Sequence, residues 1–244
     1  MINPAIEQLS FRSFRRLINF DESSFYSDLY LNHPFQISNQ RIAVKRLKKI
    51  CDATFRLANQ GGFQSMTLRQ LSEETGMSMG GIYAYISSKD DLALLIYSSL
   101  NHYCQKQLDA FLLQDASPAE QLQVLLRCHL YLSELLQPWF YFAYMEARSL
   151  NNQKHLAIDS EMIMENKLTR LIKRGIDENE FDLPDESAKI IRLNAALIKS
   201  MLQDWYLKRG KYQKRRVTVD QYANQLIEMT LRHLNFRELE RISA

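Results

Sequence analysis

The amino-acid sequence predicts an all-α protein. Residues that interrupt helices are rare, with 7 glycines and 5 prolines among 244 residues, and few stretches alternate apolar and polar residues as strands do. Apolar residues recur instead at intervals of three and four, as they do on the buried side of a helix. A chain of this length can form one large domain or two small domains with ample core.

The overall charge favours no particular partner. The sequence has 31 Lys and Arg against 28 Asp and Glu, a net charge of +3, so any nucleic-acid binding must come from a local cluster of bases. Cys51, Cys104 and Cys128 are widely spaced and form no CxxC pair. We interpret them as buried apolar residues in a reducing compartment.

Several classes of function lack their usual sequence features. No apolar run reaches transmembrane length and no signal-peptide pattern is present, so we expect a cytoplasmic protein without membrane contact. We find no metal-ligand spacing, no phosphate-binding loop and no nucleophile motif. We therefore expect no cofactor, no metal and no enzymatic activity.

Residues 67–89, TLRQLSEETGMSMGGIYAYISSK, are the most informative stretch of the chain. They predict two short helices joined by a tight turn, followed by the start of a third helix. The capping and stop residues are Thr67 with Gln70, Gly76, Ser78, and Ser88 with Asp91. A helix, a glycine turn and a second helix within about twenty residues define a helix-turn-helix, which places a helix in the major groove of DNA.

A helix predicted over residues 41–60 precedes this motif. It begins with RIAVKRLKK, which holds five bases and no acid. Such charge runs commonly face solvent only, but a position beside a helix-turn-helix favours contacts with DNA phosphates. We therefore name Lys45 and Lys48 as candidate phosphate-binding residues.

Residues 1–38 are rich in aromatic side chains and predict helices over residues 4–19 and 22–31. Two interpretations are open. The first, which we favour, is a helical extension packed on the rest of the protein. The second is an arm that reaches DNA or a partner through Arg12, Arg15 and Arg16.

Residues 50–97 resemble the DNA-binding domain of the tetracycline-repressor (TetR) family. The matching residues are Ile50, Asp52, Ala53, Gly62, Phe63, Thr67, Leu71, Gly76, Ser78, Gly80, Ile82, Tyr83, Tyr85, Ser88 and Lys89. The chain departs from the family pattern at Ala58, where phenylalanine is usual, and at Ser72, where alanine is usual.

The resemblance implies a three-helix DNA-binding head, a larger C-terminal helical domain and an extra N-terminal extension. The corresponding ranges are 1–38 for the extension, 39–88 for the helix-turn-helix domain and 89–240 for the ligand-binding and dimerisation domain. It also implies a bacterial protein at the nucleoid.

The resemblance further implies which residues contact the DNA backbone. Thr67 and Ser78 correspond to hydroxyls at helix starts that touch phosphates. Tyr83 and Tyr85 correspond to an aromatic pair that contacts the backbone, and Lys89 to a phosphate contact at the start of the next helix.

Fewer residues are expected to contact the DNA bases than to contact the DNA backbone. Arg69 stands where the first motif helix can reach a base, and Met79, Gly80 and Gly81 occupy the exposed start of the recognition helix. Because Met-Gly-Gly offers few hydrogen bonds to base edges, we expect readout from Arg69, from Met79 against a thymine methyl group, or from close backbone approach at glycine.

Residues 138–150, PWFYFAYMEARSL, form the most aromatic stretch and predict a helix. We expect most of these side chains to pack in the core and some to line a ligand pocket, as in other helical bundles. The candidate ligand-binding residues are Tyr103, His129, Glu134, Trp139, Tyr141, Phe142, Met145, Trp205 and Lys211, with Glu146 and Arg148 as further polar candidates.

The helices predicted over residues 187–208 and 218–237 are apolar on more than one side, which indicates burial against a partner as well as the core. The resemblance implies that they form a four-helix interface in a homodimer. The candidate residues are Ile190, Leu197, Met201, Tyr222, Leu226 and Leu234. A two-fold dimer presents two recognition helices to a palindromic site in double-stranded DNA.

The stretch KRGKYQKRR, residues 208–216, joins these two helices. It is either a solvated connector or a basic rim that binds the phosphate groups of a ligand. An aromatic pocket with a basic rim would suit an acyl chain with a phosphate-bearing head, such as an acyl-CoA.

The expected function is therefore transcriptional regulation. The resemblance implies a repressor that a small hydrophobic effector releases from DNA, with fatty acids and acyl-CoA as one candidate class. The alternative is a ligand-independent DNA-binding structural or interaction protein of the same fold.

Overall fold

The structure, a computed structural model, describes residues 9–35, 37–111, 116–146 and 154–237, with the side chains of all of these except residues 154–162. These residues form α-helices and no strands, which confirms the all-α prediction. In chain order the helices are α1 (Phe11–Leu17), α2 (Glu22–Leu31), α3 (Gln40–Gly61), α4 (Leu68–Thr75), α5 (Met79–Tyr83), α6 (Lys89–Phe111), α7 (Pro118–Leu135), α8 (Gln137–Glu146), α9 (Lys154–Asp177), α10 (Ala188–Leu207), α11 (Arg209–Lys214) and α12 (Val219–His233).

Local hydrogen bonds set the ends of the helix-turn-helix as the sequence predicts. Thr67 and Gln70 form the expected capping box at the start of α4. Gly76 ends α4 with φ 65°, a left-handed conformation that glycine adopts without a steric penalty. The Ser78 side chain accepts a hydrogen bond from the Gly81 amide and caps α5.

Two local predictions differ from the structure. Ser88 caps α6 by accepting from the Asp91 amide, but the Asp91 carboxylate accepts from the amide and hydroxyl of Ser87, so the second capping box is incomplete. The basic stretch 208–216 contains the short helix α11 instead of only a connector. The helix predicted over residues 4–19 is shorter in the structure, where α1 covers Phe11–Leu17 and residues 9–10 and 18–19 are not helical. Residues 4–8 and 147–150 of the predictions lie outside the described residues.

The chain divides into two compact units. The body unit comprises Met1–Arg15, Lys106–Leu135 and Asp159–Ala244, and the head unit comprises Arg16–Gln105 and Leu136–Ile158. The head unit therefore contains α2, α3, α4, α5 and α8 with the first part of α6. The predicted helix-turn-helix domain at residues 39–88 lies inside it, and the domain boundaries at 38/39 and 88/89 remain predictions.

In the head unit, the N-terminal extension forms a packed layer. Helix α2 lies against α3, and its Phe25, Tyr26 and Leu29 are buried. The Phe25 ring centroid is 4.7 Å from that of Trp139 on α8, and Phe55 of α3 contacts the same indole at 5.3 Å. This packing supports the interpretation of a helical extension. Arg12, Arg15 and Arg16 are exposed, and their role as an arm stays a hypothesis.

In the body unit, α7 forms the centre of the core and packs against α10 and α12. At the start of α12, the Asp220 carboxylate accepts a hydrogen bond from the Phe11 amide at 2.7 Å. The Tyr131 hydroxyl lies within hydrogen-bond distance of both Asp220 and the Leu9 carbonyl oxygen. Burial and the Asp220 carboxylate raise the pKa of Tyr131. These contacts attach the N-terminal segment to α7 and α12.

At the chain reversal after α9, the ring of Phe181 packs directly against Gly175. A methyl group on Gly175 would lie 2.1 Å from the buried ring of Phe181, so we expect Gly175→Ala to lower the free energy of unfolding by about 1–3 kcal/mol. Gly210 in α11 has no atom within 4 Å of the corresponding position, so Gly210→Ala should be neutral or stabilise the protein by up to about 1 kcal/mol. Urea unfolding measures both changes, and equal stability of the two variants would contradict the prediction.

Candidate functional site

The exposed tip of the helix-turn-helix consists of α5 and the turn before it. Ile82 is fully buried and anchors α5, whereas the Tyr83 side chain on the other side is 54 % exposed. Gly80 is exposed, and Met79 and Gly81 are partly exposed. The tip therefore presents backbone atoms, the thioether of Met79 and the phenol of Tyr83. As the Met-Gly-Gly sequence predicts, it offers few side-chain hydrogen bonds to base edges.

Arg69 and the two capping hydroxyls lie beside this tip. The Arg69 side chain is exposed on α4 and forms an i,i+4 ion pair with Glu73 at 3.3 Å. Because exposed ion pairs of this kind contribute little free energy, the guanidinium can exchange Glu73 for a base or phosphate. Thr67 and Ser78 are exposed at the starts of α4 and α5, which keeps both available as candidate phosphate contacts.

Tyr85 is placed differently from Tyr83. It is 8 % exposed, and its ring lies 5.7 Å from that of Phe35 in the N-terminal extension. Burial raises the pKa of Tyr85 against the opposing effect of nearby Arg46. In this structure the Tyr85 ring supports the turn after α5, and the predicted pair of backbone-contacting aromatics is split between an exposed and a buried residue.

Lys89 connects the start of α6 to the loop between α3 and α4. Its ammonium group donates to the Gln64 carbonyl oxygen at 2.6 Å and to the Phe63 carbonyl oxygen at 3.2 Å. It also lies 5.5 Å from the centroid of the Phe63 ring. The side chain is partly exposed, so the loop carbonyls hold and orient a charge that a DNA phosphate can approach.

The two candidate lysines of α3 have different surroundings. Lys45 is exposed. Lys48 forms ion pairs with Glu22 of α2 at 2.6 Å and with Asp52 at 3.0 Å. Although burial acts to lower the pKa of Lys48, the hydrogen bonds that its ammonium group donates to Glu22 and Asp52 raise this pKa. Two carboxylates neutralise this ammonium group, which argues against Lys48 as a phosphate contact.

We expect Lys89→Ala to weaken binding to all DNA sequences alike and to reduce the slope of log affinity against log salt concentration by about one unit, because one phosphate contact is lost. Fluorescence anisotropy with labelled duplexes over a range of salt concentrations measures the slope. Lys48→Ala is the matched comparison and should leave the slope unchanged. Equal slopes for Lys89→Ala and the wild-type protein would contradict the assignment.

Three of the ligand candidates lie together in the head unit. Tyr141, Phe142 and Met145 of α8 line a cavity of about 190 Å³. The other lining residues are Phe55, Ala58, Asn59, Gly62, Pro138 and Glu146. Trp139 is buried among Phe25, Tyr26 and Phe55, and Tyr103 is buried against Phe25.

Ala58 and Asn59 line this cavity but were not among the ligand-binding residues expected from the sequence. With Phe55 and Gly62 they follow the i, i+3, i+4, i+7 spacing of one side of a helix, a pattern that could have identified them. Arg148, a further candidate, lies outside the described residues.

The ligand candidates of the body unit form polar contacts. Glu134 of α7 accepts hydrogen bonds from the Trp205 indole at 3.2 Å and from two nitrogens of Arg209 at 2.9 and 2.6 Å. The hydrogen bond with Glu134 raises the pKa of Arg209. Lys211 is exposed, with its ammonium group 5.3 Å from the ring centroid of Tyr212.

His129 lies on α7 with its Nε2 atom enclosed, although the residue as a whole is partly exposed. Burial and the positive charge of Lys199 lower the pKa of His129 to about 4. The imidazole is therefore neutral at physiological pH, and its environment does not favour an additional positive charge.

An apolar groove of about 680 Å³ runs between α10 and α12. Leu197 is 54 % exposed and Met229 is 51 % exposed in this groove. Among the dimerisation candidates, Ile190, Met201 and Tyr222 are partly exposed, and the Tyr222 hydroxyl donates to the Met201 carbonyl oxygen at 2.7 Å. Leu226 and Leu234 are buried in their own protomer, so they support the helices from inside and offer little surface to a second copy.

The described part of the chain contains neither a membrane-spanning helix nor a metal-binding cluster. No helix there is long and apolar enough to span a membrane, and no group of His, Cys, Asp and Glu is arranged to hold a metal ion.

The helix-turn-helix with its exposed tip defines the class: a DNA-binding protein, in which the second helix of the motif, here α5, is the one that helix-turn-helix proteins place in the major groove. Comparison with known families gives a narrower result. The family model described as "Bacterial regulatory proteins, tetR family" matches residues 50–96, and that described as "Tetracyclin repressor-like, C-terminal domain" matches residues 115–234. The chain therefore belongs to the TetR family and is a DNA-binding transcriptional regulator.

Similar proteins agree with this assignment. The HTH-type transcriptional regulator YfiR of Bacillus subtilis (strain 168) is 25 % identical over 173 residues, which cover 65 % of this chain and 80 % of YfiR. A tetR-family regulatory protein from Rhodococcus RHA1 has a similar structure, with a TM-score of 0.67, 20 % identity and coverage of 80 % of this chain and 99 % of that chain.

The transcriptional regulator FadR from Bacillus subtilis, solved in complex with stearoyl-CoA, also has a similar structure. Its TM-score is 0.59 at 17 % identity, with coverage of 76 % of this chain and 98 % of that chain. At this level of identity, the likeness to these solved structures shows a shared fold.

Proposed function

We propose that the protein is a homodimeric repressor that binds a palindromic operator and is released by a small hydrophobic effector. The apolar groove between α10 and α12 is the observation that carries this proposal. Monomeric proteins rarely expose contiguous apolar surface of this kind, whereas a second copy would bury it.

The proposed dimer contact is isologous. Leu193 and Leu197 of α10 and Met229 of α12 are each about half exposed, and together they give two adjacent helices an apolar outer side. Pairing α10 and α12 with their copies forms a four-helix interface. The two-fold axis then relates two recognition helices, so each half of the operator carries the same sequence in opposite orientation.

In the proposed release, the effector shifts α6, which begins at Lys89 beside the helix-turn-helix. The shift alters the spacing of the two recognition helices in the dimer. An effector that binds this altered state more tightly lowers operator affinity by the same coupling free energy. The proposal includes no catalytic step.

Selection from random duplex DNA tests the operator, and sedimentation of the resulting complex tests the stoichiometry. We expect an inverted repeat and two protein chains per duplex. A single, non-repeated site bound by one chain would refute the dimeric proposal.

An acyl-CoA is a candidate effector on two grounds. The structurally similar FadR was solved with stearoyl-CoA, and the exposed Lys211, Lys214, Arg215 and Arg216 form a basic segment around α11. We expect stearoyl-CoA to release heat in calorimetry and to weaken operator binding. Absence of both effects would eliminate this class. If no small molecule alters operator binding, the ligand-independent DNA-binding alternative applies.

A further inference from the structure

The connection between α2 and α3, at the end of the N-terminal extension, is fixed by hydrogen bonds within the head unit. The Tyr30 hydroxyl of α2 donates to the Ile37 carbonyl oxygen at 2.5 Å. Between these two residues, His33 Nε2 lies 3.1 Å from the Ser98 hydroxyl oxygen of α6. The Phe35 ring stacks on that of Tyr30, with 6.0 Å between the centroids and 13° between the planes. Phe35 therefore has a defined position in the head unit.

We propose that Phe35 is a positioning residue for DNA binding. It holds Tyr85 inward, beside Arg46 of α3, and Arg46 makes the phosphate contact that the sequence assigned to Tyr85. The N-terminal extension then contributes to DNA affinity through a residue that does not touch DNA. The contact requires only a bound duplex, and neither a dimer nor an effector.

Tyr85 itself offers little surface to DNA. It is 8 % exposed, and its ring centroid lies 5.7 Å from that of Phe35. The phenol oxygen is enclosed and has no hydrogen bond of good geometry within the described part of the chain. A phosphate could reach this oxygen only if the ring turned outward, and that movement would break the contact with Phe35 and expose apolar surface of both rings to water.

Arg46 is the cationic group beside Tyr85. It is exposed on the N-terminal half of α3, where the described ion pairs of the helix involve Lys48 and Arg56 instead. Tyr85 follows the exposed Tyr83 of α5 by two residues, so Arg46 lies at the flank of the recognition helix. A guanidinium matches the geometry of a phosphate and binds it with two parallel hydrogen bonds.

The buried phenol orders the Arg46 side chain before DNA is bound. Its oxygen can accept a hydrogen bond from the guanidinium, and the fixed ring restricts the conformations that the arginine adopts. A side chain that is already ordered loses less conformational entropy on binding. Without Phe35, the Tyr85 ring is free to move, and Arg46 must be ordered when the phosphate arrives. The expected result is weaker DNA binding.

Fluorescence anisotropy with the duplex selected from random DNA, over a range of salt concentrations, tests the phosphate contact. We expect Arg46→Ala to reduce the slope of log affinity against log salt concentration by about one unit for each bound chain. Arg46→Lys keeps the charge and should retain the slope. Lys48→Ala is the matched control on the same helix, because Glu22 and Asp52 already neutralise Lys48, and its slope should be unchanged. A wild-type slope for Arg46→Ala would overturn the contact.

Double-mutant cycles test the positioning role of Phe35 and Tyr85. We expect Phe35→Ala and Tyr85→Phe each to weaken DNA binding by about threefold in the wild-type background. In the Arg46→Ala background each should weaken it by less than about 1.5-fold, because both side chains act through Arg46. A full threefold loss in that background would show a direct effect on DNA and would overturn the positioning role.

Melting temperatures establish that each variant is folded. If Phe35→Ala does not fold, Tyr85→Phe, which removes a single oxygen atom, decides the positioning role by the same cycle with Arg46→Ala. Wild-type affinity for both Phe35→Ala and Tyr85→Phe would overturn the role of the extension, even if Arg46→Ala shows the expected loss of slope.

Discussion

Replacing Leu197 by glutamate is expected to convert the protein to a monomer and to weaken its binding to a palindromic operator by at least about 100-fold. Leu197 is half exposed in the groove between α10 and α12. In the proposed dimer, the new carboxylate would be buried beside its copy near the two-fold axis without a partner, which is strongly unfavourable. Each head would then have to bind its half-site alone.

Analytical ultracentrifugation gives the oligomeric state of the variant, and fluorescence anisotropy gives its operator affinity. Leu31→Glu provides a matched control, because Leu31 is 70 % exposed on α2, outside the groove. We expect this control to remain dimeric with unchanged affinity. A dimeric Leu197→Glu variant would show that α10 and α12 do not form the interface.

Replacing Glu134 by alanine is expected to lower the free energy of unfolding by about 2–4 kcal/mol. The change removes the hydrogen-bond acceptor of the Trp205 indole and both bonds to Arg209. Trp205 is buried, and Arg209 is partly buried, so their donors lose a partner with limited access to water. Glu134→Gln should lower the free energy of unfolding by less, since the amide oxygen still accepts a hydrogen bond from the Trp205 indole.

Urea unfolding monitored by tryptophan fluorescence measures this loss. The control is Glu228→Ala, which removes an exposed i,i+4 ion pair with Arg232 and should change stability by less than about 1 kcal/mol. If Glu134→Ala kept wild-type stability and altered only the response to an effector, Glu134 would be a ligand-binding residue, as expected from the sequence.

The predictions from sequence were accurate where the forces are local. The capping box of Thr67 and Gln70 and the glycine stop at Gly76 depend on hydrogen bonds and backbone conformations within a few residues, and both were predicted correctly. The Asp91 carboxylate was assigned to Ser88, but it accepts from the amide and hydroxyl of Ser87, while the Ser88 hydroxyl accepts from the Asp91 amide. Only the three-dimensional arrangement distinguishes them.

The candidate site was predicted less completely because distant segments alter its residues. From the sequence, Lys48 is expected to be a free cation. In the structure it forms an ion pair with the carboxylate of Glu22, which lies 26 residues earlier in the chain. Phe35 covers Tyr85, and the cavity beside Ala58 exists only where α8 packs against α3. Helical periodicity shows which side of a helix is buried, but not which side chain of another helix lies against it.

The layer that α2 adds to the head unit has an evolutionary consequence. Gly80 and Gly81 lie in the first turn of the recognition helix, so each destabilises it by at most about 1 kcal/mol relative to alanine. The side chains that α2 buries, Phe25, Tyr26 and Leu29, offset a loss of that size. A domain with such a reserve of stability tolerates destabilising substitutions elsewhere. Descendants of this chain that retain α2 can therefore diverge at residues 79–81 and acquire new operator sequences while the fold persists.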